Sequence, residues 1–107
     1  PWAWGVANDM GLSPDVDDKG VTIITVDASP VALAGIKAGH VLATNSQGFW
    51  LQGYAPMEWL YWKHELGYEP QSDILTGPIV VDIENIDHWE GLVRNIFGDA
   101  YDEQNTW

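Results

Sequence analysis

One stretch, Gly20 to Asn45, limits the possible folds more than any other in the chain. "GVTIITVD" is rich in β-branched residues and alternates weakly, which predicts a strand over Gly20 to Asp27. In "DASP" the side chains of Asp27 and Ser29 can bond nearby backbone and Pro30 presets φ, so a turn follows. Pro30 also suits the first position of a helix, so "PVALAG" predicts a short helix that Gly35 stops. "IKAG" is a second tight turn, and Ile36 between its glycines is a core plug. Gly35 and Gly39 are each expected at positive φ or at a close backbone approach. "HVLATN" is the next strand, closed by the turn "NSQG".

Beyond this stretch, "APMEWLYWKHELG" predicts a helix of about three turns, with Pro56 early and Gly67 at its C-terminal end. "YEPQSD" is a loop, and "PIVVDIEN" predicts a strand with Pro78 at its start, where a missing donor is tolerated. "DHWEGLVRNIFG" predicts a C-terminal helix capped by Asp87. A domain over residues 1–86 followed by a helix and tail over 87–107 is the expected organisation.

The order strand, short helix, strand, longer helix, strand resembles a PDZ domain. The matching phrase is Gly20-Val21-Thr22-Ile23-Ile24-Thr25-Val26, then Ser29-Pro30-Val31-Ala32, Ala34-Gly35-Ile36-Lys37-Ala38-Gly39, and Val41-Leu42-Ala43-Thr44-Asn45. The resemblance is specific over about 30 residues. It implies an α+β fold: a PDZ-like, partly open β-barrel with two flanking helices, to which this chain adds a C-terminal helix. It also implies a strand from Pro78 to Glu84 that closes the sheet.

By the same resemblance a peptide groove would lie between an early strand and the longer helix. Its carboxylate-binding loop would be Trp4-Gly5-Val6, continuing through Ala7 and Asn8 along a strand from Val6 to Met10. A peptide would add there as a strand, its terminus held by backbone amides. Met57, Leu60 and Tyr61 would line the helix side, with Met57 selecting an apolar ligand residue. Three positions depart from the family. His40 stands where Asp is usual, the Asn-Gly turn is stretched to Asn45-Ser46-Gln47-Gly48, and the helix is aromatic at Trp59, Tyr61 and Trp62.

Composition excludes several classes. Sixteen acids against four bases give a net charge of −12, which repels phosphate backbones and argues against nucleic acid as a partner. The charge favours a basic partner. With the C-terminus that the resemblance implies and the apolar end that Met57 would select, the expected partner is a peptide or protein C-terminus, apolar-ended and with Lys or Arg upstream. No cysteine is present, so thiol catalysis and thiolate metal sites are absent. The Asp15 to Val26 segment opens like a calcium loop, but Lys19 and Val26 occupy its fifth and twelfth positions, where an acceptor and a bidentate Glu are needed. His40, His64 and His88 lack metal-ligand spacing, and no nucleophile motif appears. The expectation is a non-enzymatic module without cofactor or metal.

Two functions follow. One is peptide binding in a PDZ-type groove, in a periplasmic or extracellular setting with an anchor upstream of Pro1. The other is an accessory subunit of a larger assembly, its groove unused. In that case Trp59, Trp62, Trp89 and Trp107 would form the partner interface, since Trp is enriched at binding hot spots. The competing reading packs Trp89, Leu92, Val93 and Ile96, at i, i+3, i+4 and i+7, onto the chain's own core.

Overall fold

A computed structural model describes residues 2–12 and 20–103. Within them the chain is α+β, with four α-helices and one three-stranded open sheet. In chain order these are α1 (Trp2–Asp9), β1 (Ile24–Val26), α2 (Pro30–Lys37), β2 (Ala43–Ser46), α3 (Phe49–Leu66), β3 (Ile79–Asp82) and α4 (Ile86–Phe97). A 3-10 turn over Gly98–Glu103 follows α4. The acidic segment Asp15 to Lys19 and the C-terminal Trp107 lie outside the described residues.

The sheet order is β1-β2-β3, with β1 and β2 parallel and β3 antiparallel to β2. A parallel pair needs a crossover, and α2 supplies it. Ser29 starts α2 by accepting a hydrogen bond from the Ala32 amide at 3.2 Å, and Pro30 occupies the first turn. The chain leaves α2 through Gly39 at φ 78°, as the glycine pattern predicts. Gly35 lies inside the helix instead of ending it. It is there because a Cβ would stand 2.9 Å from Val41 Cγ2 and 3.1 Å from the Trp4 ring.

Register puts Thr25, Thr44 and Val81 on one face of the sheet and Val26, Asn45 and Val80 on the other. The first face is covered: Thr44 and Val81 join Leu33 and Ile36 of α2 and Ile86, Trp89 and Val93 of α4 in the interior. No helix among the described residues covers the second face, leaving Ile24 at 67%, Val26 at 65% and Val80 at 56% exposure. The sheet is therefore single-sided and open, with β3 as the expected C-terminal strand at one edge.

Other expectations change too, the strand read over Gly20 to Asp27 being confined to Ile24–Val26. The segment read as the loop Trp4-Gly5-Val6 and a strand from Val6 to Met10 is helical in α1. Its amides are spent locally, Met10 N–H on Val6 C=O at 3.0 Å and Leu12 N–H on Ala7 C=O at 2.8 Å. A short apolar run is ambiguous between helix and strand. Here the helix lets Trp4 and Ala7 turn inward, Ala7 being buried. The long helix begins at Phe49, six residues before Ala55, so Pro56 is interior to it. Finally, α4 begins at Ile86 after Asn85, and Asp87 sits in its first turn instead of capping it. The Asn85 side chain is engaged elsewhere, accepting from Asp82 N–H at 3.1 Å and donating to Val80 C=O at 3.0 Å.

Candidate functional site

The aromatic residues of α3 set it apart. The helix starts after Gly48 in a left-handed conformation and ends at Gly67, whose N–H bonds back to Lys63 C=O at 3.1 Å. None of its 18 residues is buried. One side meets the returning chain: Gln52 donates to Thr76 Oγ1 at 3.1 Å and to Gln47 C=O at 2.9 Å. Leu51, Ala55 and half-buried Trp59 line an open cleft there with Ile74 and Thr76. Trp62 meets Tyr68 edge-on at 5.9 Å, and Lys63 pairs with Glu69 at 2.7 Å. That ion pair holds the Glu69 carboxyl below its ordinary range and the Lys63 ammonium above.

The opposite side carries Trp50, Tyr54, Met57 and Tyr61 at i, i+4, i+7 and i+11, all exposed. The Trp50 and Tyr54 rings stack at 4.9 Å with an interplanar angle of 8°. The Tyr54 hydroxyl donates to Glu58, which raises its pKa by favouring the protonated phenol. These four residues form a continuous apolar seam along the helix. At its foot the seam meets an apolar groove of about 220 Å³, which Phe49 and Trp50 share with Leu92, Ile96 and Phe97.

The residues expected to form a peptide groove are divided between two elements. Trp4 stacks on His40 at 5.8 Å and packs on α2 beside Gly35, with Gly5 half-buried, Ala7 buried and Val6 and Asn8 exposed. Met57, Leu60 and Tyr61 stand on α3, each more than 60% exposed. Of the expected interface tryptophans, Trp62 is exposed and Trp59 half-buried. Trp89 is in the core, its remaining exposure lining the groove it shares with Phe49 and Trp50, and is not the outward-facing contact expected. The stripe on α4 is itself divided, with Trp89 and Val93 inside and Leu92 and Ile96 outside.

A polar cluster sits at the carboxyl ends of β1 and β2, where "DASP" by itself predicts a turn. Asp27 has a left-handed backbone at φ 70°, uncommon for a residue other than glycine. Gln47 Nε2 donates to its carboxylate, Thr44 Oγ1 donates to its carbonyl at 3.1 Å, and its own N–H reaches Asn45 C=O at 2.8 Å. Asn45 Oδ1 is buried with no hydrogen-bond partner among the described residues. Asn45 and Gln47 open onto a cleft of about 330 Å³ closed by Gln52 and by Ile74 to Pro78. An Asp directly after a β-branched run was the signal for it, since parallel strands deliver their terminal residues to one rim.

Against protein-family models, curated proteins and solved structures, the chain finds no match. Among the described residues no helix is long and apolar enough to cross a membrane.

Proposed function

We propose that this chain is a non-catalytic protein-interaction module, an accessory unit of a larger assembly, that meets its partner through α3. One observation carries the reading: an 18-residue helix with no buried residue presents a seam of Trp50, Tyr54, Met57 and Tyr61. Helices gain most of their stability from packing an apolar face, and exposed patches of this kind mark contact sites. Replacing Met57 and Tyr61 together by Gln tests it. The expected result is an unchanged thermal midpoint of the isolated chain with loss of co-purification in its native assembly. Unfolding of the isolated chain would make the seam part of the core and end the reading.

The peptide-binding form of this function, with a PDZ-like fold taking up a peptide C-terminus as an added strand, is supported by the phrase from Gly20 to Asn45. With Val6 to Met10 helical, the edge of β1, unpaired among the described residues, is the strand such a peptide would extend. Equal binding by amidated peptides would remove the carboxylate from it.

A second reading is favoured by Asp27, whose left-handed backbone is held by Gln47 and Thr44 beside the unpartnered Asn45 oxygen. Acceptors gathered at the ends of parallel strands suit a small molecule that donates hydrogen bonds, such as a hydroxyl or ammonium compound. Calorimetric titration with such compounds, abolished by Asp27→Ala, would support it. Binding undiminished in that variant would exclude the cluster.

A further inference from the structure

We infer that the partner of α3 is an amphipathic helix whose apolar seam is flanked by Lys or Arg. The inference rests on the reading of α3 as the contact surface and adds the chemistry of what covers it. Trp50, Tyr54, Met57 and Tyr61 alternate at spacings of four, three and four, the a/d rhythm of a helix that pairs along its length with another helix. In that register Glu58 and Glu65 fall at the same flanking position, one heptad apart, beside the seam. Glu58 lies beside the Tyr54 hydroxyl, and the ion-pair partner of Glu65 among the described residues is the exposed His64 at 3.6 Å. The opposite flank is neutral, with Gly53 and Leu60.

Cations to balance these acids are scarce within the molecule. Lys37 is paired with Glu90 at 2.7 Å, Lys63 with Glu69 at 2.7 Å and Arg94 with Asp102 at 3.3 Å, while the chain as a whole carries −12. A second copy is disfavoured on the same ground. Two α3 helices side by side in antiparallel would set Glu58 and Glu65 against the same residues of the other copy, and like charges at flanking positions oppose pairing. A helix with basic flanks meets the seam with aromatic and aliphatic contact and answers both carboxylates.

Synthetic helices of about three heptads, identical in a Leu seam and carrying Lys, Gln or Glu at the flanks, serve as probes for the full 107-residue chain. Calorimetry should show the Lys peptide binding most tightly and losing affinity as salt rises. Its Kd should weaken roughly tenfold in the double variant E58Q/E65Q, the loss expected for two exposed ion pairs. Amide exchange should slow over Trp50 to Tyr61 in the complex. Equal binding of the Lys and Gln peptides, with protection still on α3, would overturn the basic partner and leave the surface reading standing. Protection confined to other elements would overturn both. Failure of every peptide to bind, or a dimer in light scattering that Met57→Gln dissolves, would overturn the basic helix as the occupant.

Discussion

At single positions the chain tolerates little change around the β1–α2–β2 crossover. Gly35 is buried, with Val41 Cγ2 and the Trp4 ring where a side chain would go, so its role is close packing and not a turn. Val41 is itself buried and cannot swing aside, so Gly35→Ala should destabilise by about 1–3 kcal/mol through overpacking. Gly39 is different: its φ of 78° excludes β-branched residues whatever the space around it. Gly39→Val should therefore also lose about 1–3 kcal/mol, by strain. Denaturant midpoints measure both, and trimming Val41 to Ala separates them. It should recover part of the Gly35→Ala loss and none of the Gly39→Val loss. Asp27 belongs to the same crossover, its exceptional backbone carried by hydrogen bonds from Gln47 and Thr44.

Among the elements, α2 and α3 stand at opposite ends of self-sufficiency. α2 has an N-cap, Ser29, a Pro in its first turn, Lys37 in its last, and a buried face of Ala32, Leu33, Gly35 and Ile36. Removing the cap with Ser29→Ala should destabilise by about 1 kcal/mol, read as a lower thermal midpoint; no change would mean that Oγ contributes nothing. α3 has no side-chain cap, an interior Gly53 and Pro56, and no buried face. Pro in a helix interior is about 3 kcal/mol less favourable than Ala. Pro56→Ala should accordingly slow amide exchange along α3 while leaving the midpoint of the core unchanged. Unaltered exchange would argue that Pro56 does not interrupt the helix. A helix so poorly supported from within is one whose order depends on what packs against it.

On the scale of the whole molecule, the shape is elongated. The radius of gyration is 17.7 Å, against about 13 Å for a compact chain of this length, and the long axis is 60 Å. Stability should depend on alkaline pH at the α2–α4 contact. Lys37 is raised above 10.5 chiefly by its hydrogen bond to Glu90, and Tyr101 above 10.0 chiefly by burial. Both bind their protons more tightly folded than unfolded. Their contribution is whole below about pH 10 and drains as pH climbs through the folded values. The thermal midpoint should fall over that range, and Lys37→Met with Tyr101→Phe should flatten the fall. An equally steep decline in the double variant would assign it elsewhere. At the acid end, Glu69 is lowered by Lys63, so the stability of that link is lost as pH falls below the ordinary carboxylate range.

Local chemistry was enough to determine the crossover from the sequence. Ser29, Pro30 and Gly39 act through bonds and dihedrals within a few residues of themselves, so "VTIITVDASPVALAGIKAG" announces strand, turn, helix start and a second turn before any tertiary contact is known. The capping by Ser29 and the passage of α2 beyond Gly35 to Lys37 are seen in the structure. The α4 periodicity likewise marked a helix. Only the tertiary structure decided that Trp89 and Val93 turn inward while Leu92 and Ile96 stay out, because coverage depends on where β3 and α2 lie. The same holds for Trp4 to Met10. Its apolar spacing suits either state, and docking of Trp4 against α2 and His40 favours the helix. The aromatic character of α3 was written in the chain, but its exposure was not. Burial is a property of distant segments meeting, and among the described residues α4 reaches the seam only at its foot, beside Trp50, leaving Tyr54, Met57 and Tyr61 exposed.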